Sequence, residues 1–499
     1  MEAGFIYLWP GLRGRDTETS AYVGNAPWGV TDLKAAIRYM RLNRNLIPGD
    51  ADRVFLFGMS GGGAQTAIAG VSGDSTLYEP YLLSLGAAMA DLSGNRLSDA
   101  ITGAMCWCPI TSLDIANAAY EWNMGQFSAS ATRAHGTWTK AYSSDLAEAF
   151  ARFTNAINLH DQAGNVLSLT QGRSGIYLSG SYYKHLTGVV SQSLNDFLSY
   201  TKFPYTASAG MGMGGLPASG SHGGSSAQTQ AGPPSGSAPG GSKGTPPNGS
   251  KGGMHGVPQS GSSAVMSGRP SGASGLPSGS APGGAGGHTQ HFKTVEEYFA
   301  YLNQGSHWVD YDNSTRHATV LSLEGFVKSQ KQPSKPAGAF DGVARGDTEN
   351  YVFGHGSSPL HFAQVSRSVI ATGHARYSKL KGWRPSYGAH AYDSDFAKTD
   401  TLGKNQAFRM HAYNPMYFLS AYYDGYRSAH VAPHWRIRTG IMQSDTASTT
   451  EINLALALAN YGVKNVDFAT VWGDGHTMAE TTGQPSTNFI SWVNRSLGH

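Results

Sequence analysis

The stretch from Arg53 to Ala69 constrains the fold more than any other part of the chain. Arg53-Val54-Phe55-Leu56-Phe57 is a largely apolar run of strand length. It passes directly into Gly58-Met59-Ser60-Gly61-Gly62-Gly63 and then into the helix-forming run Ala64-Gln65-Thr66-Ala67-Ile68-Ala69. A buried strand, a glycine turn and a helix in immediate succession predict a crossover unit, with Ser60 at the carboxyl edge of a sheet. The neighbouring sequence repeats the rhythm. Phe5 to Trp9 reads as a short strand closed by Pro10-Gly11. Thr31-Asp32 offers a helix N-cap, followed by Leu33, Ala36, Ile37 and Met40 at helical spacing. Ala104 to Ile110 reads as a third strand. Strands alternating with helices at these intervals imply right-handed βαβ units, a mostly parallel sheet and the α/β class.

The pattern returns near the C-terminus. Trp435 to Ile441 reads as a strand, Thr450 to Tyr461 as a helix rich in Leu and Ala, and Val466 to Trp472 as a last strand ending in Gly473-Asp474-Gly475-His476. Residues 1–111 and 431–499 are therefore expected to form one core, with 112–430 inserted between its halves as a cap. Within the cap, residues 208–290 differ in composition. Gly, Ser and Pro fill 50 of the 80 positions from Met211 to Gln290, with no Asp or Glu. Such a segment cannot bury enough apolar surface to offset the entropy of ordering it, and is expected to stay disordered.

That segment also accounts for the charge balance. It holds Lys243, Lys251 and Arg269; without them the chain carries 33 basic and 33 acidic residues. A neutral remainder argues against nucleic acid as a partner, because such binding needs clustered basic surface. No run of 18 apolar residues suggests a membrane span. Met1-Glu2-Ala3-Gly4 has no basic region of a signal peptide, so the compartment is left unknown, as is the oligomeric state. Cys106 and Cys108, separated only by Trp107, are too close for an unstrained disulfide and read as buried thiols. There is no H-E-x-x-H and no paired C-x-x-C, so neither a metal nor another cofactor is expected. Gly210 to Gly215 mimics a nucleotide loop but follows no strand.

Gly58-Met59-Ser60-Gly61-Gly62 matches G-x-S-x-G in the strand–turn–helix setting that gives the motif mechanical meaning. Flanking glycines let the chain close on itself and lift the serine oxygen above the sheet edge. The helix start adds a partial positive field, and the Gly61 amide can donate to a developing oxyanion. The plain alternative is a glycine-rich turn with a capping serine. A nucleophilic serine needs a base, and the base an orienting acid. In an α/β-hydrolase the chain order is Ser, acid, His, with the acid after a late strand and the His after the last one. His476 and Asp445 fall at those places. Asp474 lies too close to His476 on the same turn to serve.

Further residues add a resemblance. Gly11-Leu12-Arg13-Gly14-Arg15, Asp32 to Tyr39, Gly58 to Gly63, Tyr78-Glu79-Pro80-Tyr81-Leu82, Cys108-Pro109-Ile110-Thr111, Tyr120-Glu121-Trp122 and His434-Trp435-Arg436-Ile437-Arg438 resemble bacterial tannases of the subtype B group. The likeness covers nearly the whole chain outside the 208–290 segment; it is strong over 11–122 and patchy in the cap. It implies an α/β-hydrolase fold with a lid, and cleavage of gallate esters by Ser60, His476 and Asp445 through an acyl-enzyme. Feruloyl esterases, of similar fold, are close in chemistry. The family's cap supplies a lysine and a glutamate to the galloyl hydroxyls; the matching positions are Lys335 and Glu349. Otherwise Lys335 is a solvated loop lysine and Glu349 a local helix cap.

Two departures from the family are visible. Tannases carry two aspartates two residues apart, one catalytic and one touching gallate, whereas Gln443-Ser444-Asp445-Thr446 offers one. Asp445 is assigned to catalysis as the only carboxylate in reach, although it could match the galloyl-binding aspartate, with Gln443 where the acid should be. The family also carries early strands and a Gly-rich loop with a second oxyanion donor; this chain is expected to start after them. The leading expectation is a serine esterase for small aromatic acyl esters of gallate or hydroxycinnamate type. The alternatives are a peptidase of the same fold and a non-catalytic, hydrolase-like binding protein.

Overall fold

Strand β1 (Phe55–Met59) pairs in parallel with β2 (Gly103–Trp107), Phe55 opposite Gly103 and Met59 opposite Trp107. The computed structural model from which this is read describes residues 4–14, 24–172, 177–207 and 290–498. Two short antiparallel pairs follow in the chain: β3 (Tyr205–Ala207) with β4 (Gln290–Phe292), and β5 (Val309–Asp312) with β6 (His317–Val320). Strands β7 (His434–Gly440) and β8 (Asn465–Val471) then complete the main sheet, in the order β1-β2-β7-β8, every pair parallel.

Alternation along β2 sets the two faces. Ala104 and Cys106 join the large core with Ile437, Trp435 and the helix Gly61–Val71, while Met105 and Trp107 turn the other way onto Trp492 of the helix Pro485–Leu497. The helix Gly61–Val71 can lie close to the sheet because Gly70 has no side chain. A Cβ there would stand 2.8 Å from Trp435 Cζ2. Helices Ala116–Asn123, Trp138–Ile157 and Ser181–Tyr200, between β2 and β7, extend the same core through Trp122, Phe150 and Tyr182.

Several sequence expectations shift. Phe5 to Trp9 is not a strand: Tyr7 stacks on Phe57 with ring centroids 5.8 Å apart, and Trp9 is exposed, so side chains rather than a backbone ladder hold this stretch. The first helix begins at Trp28, not after Thr31. Thr31 lies inside it with Oγ1 donating to Pro27 O at 3.1 Å, and Asp32 is bound by Arg13 at 2.5 Å instead of capping. The strands expected at Arg53, Ala104, Trp435 and Val466 are present with ends moved by one to three residues, the usual uncertainty of element boundaries. Cys106 and Cys108 are both buried free thiols. The expected segment 208–290, apart from Gln290, and the glycine run at 210–215 lie outside the described residues.

Candidate active site

Ser60 sits between β1 and the helix Gly61–Val71 with φ 58 and ψ −120. That is a rare conformation for a residue with a side chain, and it persists only where its surroundings enforce it. Here they do. Ser60 N donates to Trp107 O at 2.9 Å, which ties the turn to β2, and Ser60 O accepts from Ala64 N at 2.9 Å as the helix begins. Gly58 must be glycine, since a Cβ would collide with Gly62 C and O and stand 2.9 Å from Gly63 N. The space above Gly61 and Gly62 is open. The Gly61 amide lies in the first turn of the helix, where donors have no intrahelical acceptor and the dipole is positive.

His476 reaches the same edge by a loop that doubles back. Leaving β8 on the far side of the sheet, the chain is tied to the end of β7 by Met442 N donating to Asp474 O at 3.1 Å. It next passes β2, where Cys108 Sγ lies 3.2 Å from Thr477 O and Trp107 Nε1 donates to Glu480 Oε1 at 3.0 Å. Arg436 grips Glu480 with two bonds of 2.6 Å. The crossing runs from the end of β8 past β7 to the end of β2, where the Trp107 carbonyl also accepts from Ser60 N.

The imidazole of His476 is almost wholly buried. Its Nδ1 lies 2.8 Å from Gln443 Oε1 and 3.8 Å from Asp445 Oδ2, and Nε2 has no hydrogen-bond partner among the described residues. The chain order predicts that Asp445 holds the ring; the hydrogen bond instead runs from Nδ1 to Gln443, and Asp445 stands beside it at ion-pair distance. Gln443 reaches in because its loop turns tightly after β7, with Gln443 N donating to Gly440 O at 3.2 Å. Asp445 Oδ1 accepts from Ser334 Oγ at 3.3 Å, and Oδ2 is buried without a hydrogen-bond partner among the described residues. Burial pushes the His476 imidazole below its ordinary value; Asp445 opposes this, while Lys335 and Lys331 push it further down. The ring is therefore neutral at neutral pH, as a base must be.

Gln443 is itself held from behind. Its Nε2 donates to Glu451 Oε1 at 2.7 Å and to Thr439 Oγ1 at 2.6 Å. Lys331, buried, donates from Nζ to the carbonyls of Gln443 and Thr446. Sequence reasoning singles out Gln443 only as a departure and misses Glu451 and Lys331. The signal available is the Glu in the first turn of the helix Ser448–Tyr461, eight residues beyond Gln443.

Lys335 enters through the same loop system. Tyr120 OH donates to Ser444 O at 2.7 Å and accepts from Lys335 N at 2.9 Å, and Lys335 Nζ lies 4.0 Å over the Phe340 ring. Its charge acts on both His476 and Asp347. Glu349 is buried at the start of the helix Thr348–Val352, and its charge acts on Asp347 and Tyr413. Asp347, which sequence reasoning does not single out, is pushed up to about 6 by burial, with Lys335 opposing and Glu349 adding. A cavity of about 900 Å³ lined by Asp114, Glu148 and Arg376 contains none of these groups. No cluster of His, Cys, Asp and Glu among the described residues is arranged for a metal, and no described helix is long and apolar enough to cross a membrane.

A parallel sheet with a strained serine between strand and helix, and a histidine on the loop after the last strand, define the α/β-hydrolase fold. Solved structures narrow this to one version of it. A tannase from Fusobacterium nucleatum superposes with TM-score 0.61 at 22% identity over 98% of this chain and 77% of that one. Tannin acyl hydrolase from Lactobacillus plantarum gives TM-score 0.58 at 22% identity, over 97% of this chain and 75% of that one. A tannin acyl hydrolase in complex with ethyl gallate gives 0.57 at 23%, over 97% and 75%. The chain thus has the fold of the bacterial tannases. No family model and no curated protein matches the sequence.

Proposed function

We propose that the chain is a serine carboxylic-ester hydrolase acting on aromatic acyl esters, of gallate or hydroxycinnamate type. The observation that carries the reading is a strained Ser60 elbow at the sheet edge that the His476 loop crosses, with the buried His476 ring engaged at Nδ1 and its Nε2 unpartnered among the described residues. In this mechanism Ser60 Oγ bonds to the ester carbonyl carbon while its proton passes to His476 Nε2. The Gly61 amide donates to the oxyanion. Collapse breaks the bond to the alcohol, which leaves with the proton from His476, and Ser60 keeps the acyl group. Water then attacks by the same proton route, releasing the acid and restoring Ser60. Asp445 supplies the negative charge that favours the imidazolium. Lys335 and Glu349 offer a cation and an acceptor for phenolic hydroxyls, and the ethyl gallate complex of a protein with the same fold supports an aromatic acyl group. Sites that hydrogen-bond a substrate hydroxyl discriminate strongly against analogues lacking it.

Hydrolysis of methyl gallate, methyl ferulate and simple acyl esters tests this. Ser60→Ala is expected to lose at least about 10³-fold in kcat/KM. Retained hydrolysis in that variant refutes the assignment, and equal rates on a peptide bond with the same acyl group favour a peptidase. One observation favours a second reading. An uncharged acceptor on Nδ1 also suits a hydrolase scaffold that binds without turnover. Labelling of Ser60 by a fluorophosphonate excludes that, and resistance of folded protein supports it.

A further inference from the structure

We infer that Glu451 is a positioning residue: it locks the amide of Gln443 in one orientation and thereby decides which nitrogen of His476 carries the proton. The consequence for catalysis rests on the reading of Ser60 as nucleophile and His476 as base.

An amide in the place of a triad carboxylate poses a problem that a carboxylate does not. Its carbonyl accepts and its NH₂ donates, and the two ends have nearly the same shape. With Oε1 towards His476, Nδ1 keeps its proton and Nε2 offers a lone pair to the serine. With Nε2 towards His476, Nδ1 must accept, the proton moves to Nε2, and the ring cannot serve as base. In a serine-protease triad, replacing the acid by its amide imposes that wrong tautomer and lowers kcat by about 10⁴-fold.

The surroundings of Gln443 permit only the productive orientation. Its Nε2 faces Glu451 Oε1 at 2.7 Å and Thr439 Oγ1 at 2.6 Å. The Thr439 hydroxyl has its own acceptors for its proton, Glu451 Oε1 at 3.4 Å and Cys108 Sγ at 3.7 Å, which leaves a lone pair for Gln443. A flipped amide would set its carbonyl oxygen against the Glu451 carboxyl oxygen that Nε2 now bonds, with Gln443 only 1% exposed and so cut off from water. Glu451 is fully buried and held in its turn: Thr446 Oγ1 donates to Oε1 at 3.1 Å and Thr450 Oγ1 to Oε2 at 3.4 Å. Burial pushes its carboxyl upward, and the charge of buried Lys331 opposes that push. Lys331 also fixes the Gln443 backbone by its bond to the carbonyl. Glu451 and the Thr439 hydroxyl thus hold the amide that faces the imidazole, while Thr446 and Thr450 contact Glu451 and Lys331 holds the Gln443 backbone.

The test reads the tautomer directly. Nitrogen-15 NMR of the neutral His476 ring should show a protonated Nδ1 and a bare Nε2 in the unmodified protein. Glu451→Gln should move the proton towards Nε2 and lower kcat/KM by at least about tenfold, chiefly in kcat. Moving the carboxylate by the exchange Gln443→Glu with Glu451→Gln should restore the Nδ1 proton and bring kcat to within about threefold of the original. Glu451→Gln leaves Lys331 without its charge partner. If it fails to fold, Glu451→Gln with Lys331→Met and the exchange variant, both checked by circular dichroism, carry the test. A protonated Nε2 in the unmodified protein, an unchanged tautomer in the folded variants, or no restoration in a folded exchange variant overturns the inference. A tautomer that follows position 451 in a protein without Ser60-dependent hydrolysis would uphold the lock and refute the esterase reading.

Discussion

Gly440, the last residue of β7, lies directly against the loop bearing His476. An added Cβ would overlap Gly475 O and Asp474 O and stand 2.7 Å from Asp474 C. Ordinary carbon contacts are about 3.5–4.0 Å, so Gly440→Ala demands a displacement of about 1 Å in the backbone that carries His476. The neighbours cannot absorb it, because the obstruction is backbone rather than the end of a flexible side chain. The loop is also pinned on either side by Met442 N to Asp474 O and by Glu480 on Trp107 and Arg436. Overpacking of this kind costs about 1–3 kcal/mol of stability, and a misplacement of about 1 Å in a catalytic group costs about 10²-fold in rate. We expect Gly440→Ala to lower kcat/KM for an aromatic ester by about 10²-fold and to lower the urea midpoint by an amount matching the stability loss. Gly188→Ala serves as the control. Gly188 lies inside the helix Ser181–Tyr200, where an added Cβ would meet nothing within 4 Å, and alanine there should stabilise by up to about 1 kcal/mol with unchanged kinetics. A Gly440→Ala protein with unaltered kcat/KM and midpoint would refute the packing argument.

Two further outcomes follow from the charges and burial at the site. In the proposed mechanism His476 acts as the base only when neutral, so kcat/KM should rise with pH through its pKa and then level, with the rise lying below the ordinary histidine range. Lys335→Met removes a cation that disfavours the imidazolium and should move that rise to higher pH; Asp445→Asn removes an anion that favours it and should move the rise to lower pH. Profiles of kcat/KM against pH shifting in the same direction for both would contradict the placement of these charges. Burial pushes the Cys108 thiol up to about 11 and Cys106 higher still, so neither should react with an aromatic disulfide reagent in the native protein, and both should react after unfolding.

How far the sequence can be read depends on the range of the interactions. The sheet strands and the helices Gly61–Val71 and Ser448–Tyr461 are legible because apolar runs and glycine turns are local signals, and the serine elbow is legible because its glycines meet one another within six residues. Phe5 to Trp9 misleads because five apolar residues carry no mark of whether a partner strand will pair with them. The start of the first helix misleads because Asp32, a good cap by type, is claimed by Arg13 from 19 residues away. Lys335 and Glu349 emerge through family likeness alone; nothing in their local pattern separates them from surface charges.

Gln443 shows what a residue-type argument leaves out. A search for the acid weighs carboxylates, since charge and orientation are usually supplied by one aspartate, and it settles on Asp445. In the structure those two tasks lie on different side chains. Gln443 takes the hydrogen bond at 2.8 Å, and Asp445 supplies charge from 3.8 Å. Division of that kind needs a third partner, because an amide orients a ring only if something orients the amide. Glu451 and Lys331 occupy that place, from the first turn of one helix and the end of another, which no motif joins to the serine. A glutamine at the acid position therefore does not by itself argue for a disabled scaffold. On the proposed reading, what separates a working site from a relic is whether the amide is held with its NH₂ away from the imidazole, and Glu451 Oε1 and the Thr439 hydroxyl stand on that side.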